Sequence, residues 1–299
     1  MNTVQIHKKK KVQKGQIFLN IFFILLCCCY VIPLLLLVSI SLEGDTNTYF
    51  SLIPKKFTTL GYELVLKNPG NILQAYGVTI FYSVVGVGLS LVVMSMLAYA
   101  LSRPTFRSRR WINFMLFFTT LFSGGLVPTY ILCSSYLHLN DTIWIYILPP
   151  MVNAWNVFVI RSYFKSLPQE LFEAARLDGA SELRICFQIV IPLSTPVLAS
   201  VGFIRFVDAW NGWQTSQIYI RNPKLYSLQY LLKQILDNAE YLQKMIASGS
   251  VSSSLQFQLN NLETMRFAMA IIAVGPALLV FPFFQKYFAK GMVVGSVKG

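Results

Sequence analysis

Long apolar runs, rather than alternation or a one-sided helical stripe, dominate this chain. A helix needs about 20 apolar residues to cross the hydrocarbon core of a bilayer. Six stretches meet or approach that length, over residues 17–42, 78–102, 111–136, 143–164, 187–210 and 267–284. The pattern predicts an all-α integral membrane protein with six transmembrane helices. Residues 1–16 form a basic cytoplasmic tail and residues 17–299 a single transmembrane domain. Several spans carry their own breakers: Pro33 in the first, Gly124, Gly125 and Pro128 in the third, Pro149 and Pro150 in the fourth, Pro192 and Pro196 at the fifth. Such breaks are tolerated in a membrane where protein or a water-filled cavity covers the freed backbone groups, so kinked or broken spans are expected. The first stretch follows a run of lysines, but it is too long for a secretory leader and no small-x-small cleavage pattern follows it, so it reads as a retained span.

Two connections are long. Residues 43–74 are expected to fold over the outer mouth. In the second, residues 211–266, Leu228, Leu231, Leu232, Ile235 and Leu236 fall at helical spacing on one face. That amphipathic helix is either a lateral plug or docking surface, or a helix packed on the other spans. The Gly/Ser-rich stretch ASGSVSSS at 247–254 reads as a flexible connector.

Charge sharpens the picture. Only 12% of residues are charged and 55% are hydrophobic, against about 25% charged in an ordinary soluble domain. Disorder, a coiled coil and most soluble enzymes are excluded. The net charge of +13 would suggest nucleic acid in a soluble protein. With both termini placed in the cytoplasm, however, the inner segments hold sixteen basic and four acidic residues, and all other segments nine and eight. An excess of Lys and Arg on one side is the signal that orients a membrane protein. The lysines at positions 8–11 and 14 then anchor the topology, and no nucleic-acid partner is needed.

The chemistry of catalysis is missing. There are two histidines, His7 in the tail and His138 in a loop, which leaves no histidine-based metal centre and no Ser-His-Asp arrangement. Cys27, Cys28 and Cys29 point in three directions around one helix and suit a lipid-facing role. The glycine-containing run from Gly291 to Lys298 lacks the Gly-Lys-Ser/Thr ending of a nucleotide-binding loop. The chain therefore reads as one that binds no cofactor and hydrolyses no nucleotide itself.

The inner loop, SLPQELFEAARLDGASELRICFQIVIPLSTP at 166–196, is the most informative segment. Pro168 suits the opening of a short helix, where its missing N–H goes unnoticed. Glu170 and Glu173 lie in the first turns, favoured by the helix dipole. Ala174, Ala175 and Leu177 give a slim apolar side sized for a groove in another protein. Gly179 permits a sharp bend after Asp178, and residues 180–186 form a second short helix. This is a helix–turn–helix on the inner surface joined to a span, built to pass a force.

Glu173-Ala174-Ala175, Gly179 and then Ile189, Ile191 and Pro192 match the EAA loop of ABC-importer permeases. AYALSR at 98–103, FSGGLVPTY at 122–130 and FFQKYFAKGMVVGSVKG at 283–299 narrow the match. From about residue 17 onward the chain resembles the MalG-like permeases of carbohydrate importers, particularly the branch that includes LplC and YtcP. The resemblance implies a type I ABC importer fold in the inner (cytoplasmic) membrane. It implies that Glu173, Ala174, Ala175, Asp178, Gly179, Ile189 and Pro192, within a coupling loop at 166–192, engage two cytoplasmic ATPase subunits that bind the ATP and Mg. It further implies a second homologous permease chain, an extracytoplasmic solute-binding protein and a sugar cargo moved by alternating access.

Arg205 and Asp208 lie one turn apart near the outer end of the fifth span. A charge at the bilayer centre costs about 2.5–3.5 kcal/mol on insertion scales and less near the interface, so it faces a cavity or a partner. Two readings stand: a local ion pair that sets the depth of the span, or a polar wall of the substrate pathway. Trp210, Asn211 and Trp213 follow, either as interface-belt residues or as a surface for stacking sugars. Arg205 is unusual for the resembled family and points to an acidic sugar such as a uronate. An ion-gradient-driven secondary transporter is the alternative, but it needs intramembrane carboxylates and only Asp208 is available. A membrane-embedded enzyme lacks a catalytic set.

Overall fold

The computed structural model describes residues 14–43, 52–67, 69–248 and 253–296. Among these, the only extended pairing is an isolated bridge between Glu43 and Phe57, and the rest is helix and turn. The helices are α1 (Lys14–Ser41), α2 (Leu60–Val65), α3 (Pro69–Ser102), α4 (Arg109–Leu121), α5 (Leu126–Ile131), α6 (Ala154–Ser166), α7 (Gln169–Leu177), α8 (Glu182–Ile185), α9 (Ile191–Leu193), α10 (Thr195–Asn211), α11 (Gln214–Tyr219), α12 (Leu228–Ala247) and α13 (Ser253–Ser296). π-helical turns extend α5 through Leu132–Tyr136 and join α8 to α9 through Cys186–Val190. The expected basic tail and most of the expected Gly/Ser connector lie outside the described residues.

Three stretches are long and apolar enough to cross a membrane as continuous helices: residues 15–41 of α1, all of α3, and Thr264–Gln285 of α13. Two more reach that length only as bent pairs, Arg109–Leu121 with Leu126–Tyr136 at 119° and Glu182–Leu193 with Thr195–Asn211 at 81°. The first bend falls where the chain has Gly124 and Gly125. Gly125 has φ +87°, a conformation that side-chain-bearing residues rarely adopt, and Pro128 sits in the first turn of α5, where no N–H is missed. The second bend falls at Ser194, with Pro192 and Pro196 in the first turns of α9 and α10.

The fourth apolar stretch, 143–164, is not one helix. A 3-10 turn at Ile143–Tyr146 leads into turns through Pro149 and Pro150, and α6 begins only at Ala154. Two consecutive prolines remove two N–H donors and disfavour helix in the residue before each. Asn153 then restarts the helix by accepting a hydrogen bond from the Asn156 N–H at 3.1 Å. The 13 residues of α6 rise about 20 Å, short of a hydrocarbon core of about 30 Å.

The chain forms two compact units, Met1–Val65 with Leu242–Ile271, and Leu66–Tyr241 with Ile272–Gly299. In the first, the Glu43 carboxylate is buried and accepts the backbone N–H groups of Lys55 and Lys56 at 2.7 and 3.0 Å. Gly61 is required there, because a Cβ would stand 2.8 Å from the Thr264 carbonyl oxygen. In the second unit α3 is the axis against which α6 and α10 pack. Its core joins Met94, Ala98 and Leu101 of α3 to Val157, Ile160 and Phe164 of α6, Phe172 of α7 and Ile185 of α8. Pro276 within α13 has no N–H to offer the Ile272 carbonyl four residues back, and the Tyr76 hydroxyl of α3 donates to that carbonyl instead.

Candidate functional site

α7 presents two faces. Phe172 and Ala175, three residues apart, are buried at 1% and 7% exposure, whereas Leu177 is 89% exposed and Leu171, Glu173 and Ala174 are exposed with it. Ala175 therefore packs inside its own chain rather than on the outward apolar strip expected of it; Leu171, Ala174 and Leu177 make that strip. The helix ends in a Schellman motif. The Gly179 N–H donates to the Arg176 carbonyl and the Ala180 N–H to the Ala175 carbonyl, both at 3.0 Å, and Gly179 has φ +73°. The Ser181 hydroxyl then caps α8 by accepting the Arg184 N–H at 3.3 Å. Of the other residues assigned to coupling, Asp178 and Gly179 are exposed beside Glu173. Ile189 packs against the core and Pro192 opens α9, one helix further along.

A network fastens this loop to the C-terminal end of α3. The Glu182 carboxylate accepts the Tyr99 hydroxyl at 2.5 Å and the Arg176 Nε at 3.0 Å. Arg103, itself buried, lays its guanidinium 3.5 Å from the ring centroid of Phe172 and 4.8 Å from that of Tyr99.

At the other end of α3, Arg205 and Asp208 of α10 border a cavity of about 150 Å³ lined also by Tyr82, Gly86, Tyr146 and Pro150. Arg205 Nη2 donates to the Pro150 carbonyl at 2.5 Å, and its Nη1 stands 3.9 Å from the Asp208 carboxylate. The Arg205 Nε is buried without a hydrogen-bond partner. The rings of Tyr82 and Tyr146 stack at 4.5 Å, 9° from parallel, and form a rigid wall because their hydroxyls are committed. Tyr82 donates to the Ala209 carbonyl at 3.1 Å and Tyr146 to the Leu225 carbonyl at 2.8 Å. Asp208, Asn211 and Trp213 also line a more open space of about 300 Å³. Trp210 does not join them: it is 2% exposed and its indole N–H donates to the Ala273 carbonyl at 2.9 Å.

Residues 83–294 match the sequence profile of the binding-protein-dependent transport system inner membrane components. The chain belongs to this family. Among curated relatives, this inner membrane component is 35% identical over 282 residues to the polygalacturonan/rhamnogalacturonan transport system permease protein YtcP of Bacillus subtilis strain 168, covering 93% of this chain and 96% of that one. It is 34% identical over 301 residues to protein LplC of the same organism, covering 99% of each. Among solved structures it superposes, with a TM-score of 0.76 and 29% identity, on a bacterial ABC transporter involved in the import of the acidic polysaccharide alginate, covering 93% of this chain and 98% of that one.

Several residues that shape the inner membrane component escaped sequence reading. Asp141 has φ +53°, and one of its carboxylate oxygens accepts the backbone N–H groups of Asn222 and Arg221. Those two bonds, Asn222 first, hold its pKa below the ordinary carboxylate value. The clasp also binds the loop before α6 to the one after α11, since the Asp141 N–H donates to the Tyr219 carbonyl at 3.2 Å. Tyr99, Arg103 and Glu182 are the other omissions. Their only signal is that Arg103 closes the AYALSR run and that Glu182 follows Gly179 by three residues.

Proposed function

We propose that this chain is one permease subunit of an ATP-driven importer and forms half of the translocation pathway for a sugar or oligosaccharide that an extracytoplasmic binding protein delivers. A second, homologous permease chain completes the pathway, and two cytoplasmic ATPase subunits drive it. In this reading the outward strip of α7, with Glu173, Asp178 and Gly179 beside it, seats in the ATPase. Both termini lie in the cytoplasm, α4–α5 and α8–α10 each make one bent pass, and residues 143–166 cross as a broken segment with α6 as its helical part, to make six passes. One observation carries the proposal: similarity to a polysaccharide permease and to the alginate importer covers 93% of the chain, so it includes the α7 loop and the α10 cavity together. Co-expression with a partner permease and an ATPase subunit tests it. The three are expected to co-purify, and cargo-loaded binding protein is expected to stimulate ATP turnover. A single cysteine at position 177 that is labelled from outside intact cells would refute the topology and the coupling with it.

Arg205 refines the cargo to a saccharide bearing carboxylates. Its side chain borders the cavity, and Asp208, at 3.9 Å and 60% exposed, neutralises it only weakly. Similarity to an importer of an acidic polysaccharide supports the same assignment. A hydrogen bond to a charged group is worth about 1.5–3 kcal/mol. Arg205→Ala is therefore expected to lower uptake of a uronate oligosaccharide at least about tenfold more than uptake of a neutral one. Equal loss for both cargoes, or no loss for either, refutes the assignment.

A further inference from the structure

Two physical routes lead from α7 toward the outer cavity. One follows the chain through α8 and α9 into α10 and passes the π-turn Cys186–Val190 and the 81° bend at Ser194. A force carried that way meets a break. The other leaves the chain and enters α3, an unbroken helix of 34 residues whose inner end carries Tyr99 and whose middle carries Tyr82 and Gly86 of the cavity wall. Tyr82 and Tyr99 are about 25 Å apart along that helix.

We infer that Tyr99, Arg103, Phe172 and Glu182 form a clasp that locks the coupling helix α7 onto α3, so that movement of α7 enters the unbroken helix directly. They are positioning residues for coupling, and the inference rests on the functional proposal above. Three observations support it. Phe172 is the inward residue of α7 at 1% exposure, and the planar face of Arg103 covers its ring at 3.5 Å, which fixes the rotation of α7 about its own axis. Glu182, at the start of α8, takes the Tyr99 hydroxyl at 2.5 Å, which ties the far side of the Gly179 turn to the same turn of α3. Arg103, six per cent exposed with its Nε unpartnered, is held by ring faces rather than by hydrogen bonds, an arrangement that resists tilt while allowing the two helices to travel together. The Arg176–Glu182 pair is half-exposed at 42% and 53% and adds little, since solvent screens it. Coupling of this kind requires an element that both ends bias, and here that element is α3.

The test uses the complex of this chain with its partner permease and ATPase, and reads amide hydrogen exchange in α7 and in residues 92–102 with and without a non-hydrolysable ATP analogue. In the unmodified complex the analogue is expected to change exchange in both segments. Tyr99→Phe keeps the ring under Arg103 and removes one hydroxyl, and Glu182→Gln keeps the shape and removes the charge. Neither touches the outward strip of α7. In each variant the ATPase is expected to co-purify and the α7 response to persist, while the α3 response falls about tenfold, equivalent to about 1.4 kcal/mol of coupling. The double variant is expected to fall no further than the worse single, because Tyr99→Phe removes the same bond that Glu182→Gln weakens by taking away its charge. An undiminished α3 response in Tyr99→Phe overturns the clasp, as do additive losses in the double variant. If Glu182→Gln fails to assemble, Tyr99→Phe alone decides. An unmodified complex that binds no ATPase, or whose α7 ignores the analogue, overturns the functional proposal and the clasp together. A normal α7 response with an unaffected α3 in the variants overturns the clasp alone.

Discussion

Replacing Gly179 by alanine isolates one backbone angle as the cause of the loop's shape. Gly179 has φ +73°, and no atom lies within 4 Å of the place a Cβ would take. A clash therefore contributes nothing, and the cost is that of holding an L-residue in the left-handed region, about 1–2 kcal/mol. Alanine also narrows the unfolded ensemble, which returns about 0.4–1 kcal/mol. The net loss is about 1 kcal/mol, or roughly a fivefold shift toward the open loop. The opening breaks the hydrogen bonds from Gly179 to Arg176 and from Ala180 to Ala175, each 3.0 Å long, so amide exchange at positions 179 and 180 reads it directly. Exchange there is expected to rise several-fold in Gly179→Ala, with a parallel loss of ATPase association. Gly179→Asn, whose side chain tolerates this region better, is expected to fall between wild type and alanine. Exchange at the wild-type level in Gly179→Ala refutes the reasoning. So does an asparagine variant worse than alanine, because size would then matter where the site has room.

Asp141 supplies a pH dependence of known sign. Its folded pKa is depressed by the Asn222 and Arg221 N–H groups, so its stabilisation is complete above the unfolded value of about 3.9 and is lost as pH falls through the folded value. The thermal-unfolding advantage of wild type over Asp141→Asn in detergent is expected to shrink on acidification from about pH 6 to pH 3, and an advantage that grows would contradict the bond pattern. Phe164, at 1% exposure in the α3–α6 core, is expected to cost about 3–5 kcal/mol of stability when cut to alanine, seen as a large drop in the unfolding midpoint. Trp210→Phe is expected to lose about 1 kcal/mol with its bond to Ala273 and to leave the half-saturation of cargo uptake unchanged; a selective rise in that constant would return Trp210 to the pathway.

The contrast between legible and hidden features follows from whether a second element is needed. Apolar runs marked α1, α3 and the core of α13 because lipid exposure asks only for length and composition. The bends at Gly124-Gly125 and around Pro192 and Pro196 were readable because a backbone break is a property of the residues that make it. Facing was not readable. α7 has two apolar faces, Phe172 with Ala175 and Leu171 with Ala174 and Leu177, and its own periodicity cannot rank them. The C-terminal end of α3, offering Tyr99 with Arg103 just beyond it, makes the choice, and Ala175 packs inside the chain. The same limit governs the freed carbonyls. Sequence marks the break at Pro149-Pro150, though not the one at Pro276, and in neither place does it say which donor arrives. Tyr76 takes the Ile272 carbonyl and Arg205 takes that of Pro150. This last pairing is one that neither reading of Arg205, ion pair or pathway wall, anticipated. One Nη bonds the backbone of the broken fourth stretch and so supports the cavity wall. The 3.9 Å contact to Asp208 leaves the charge of the cation only weakly neutralised beside that cavity. On the proposed function, a cation so held by the backbone would present its remaining charge to an anionic cargo.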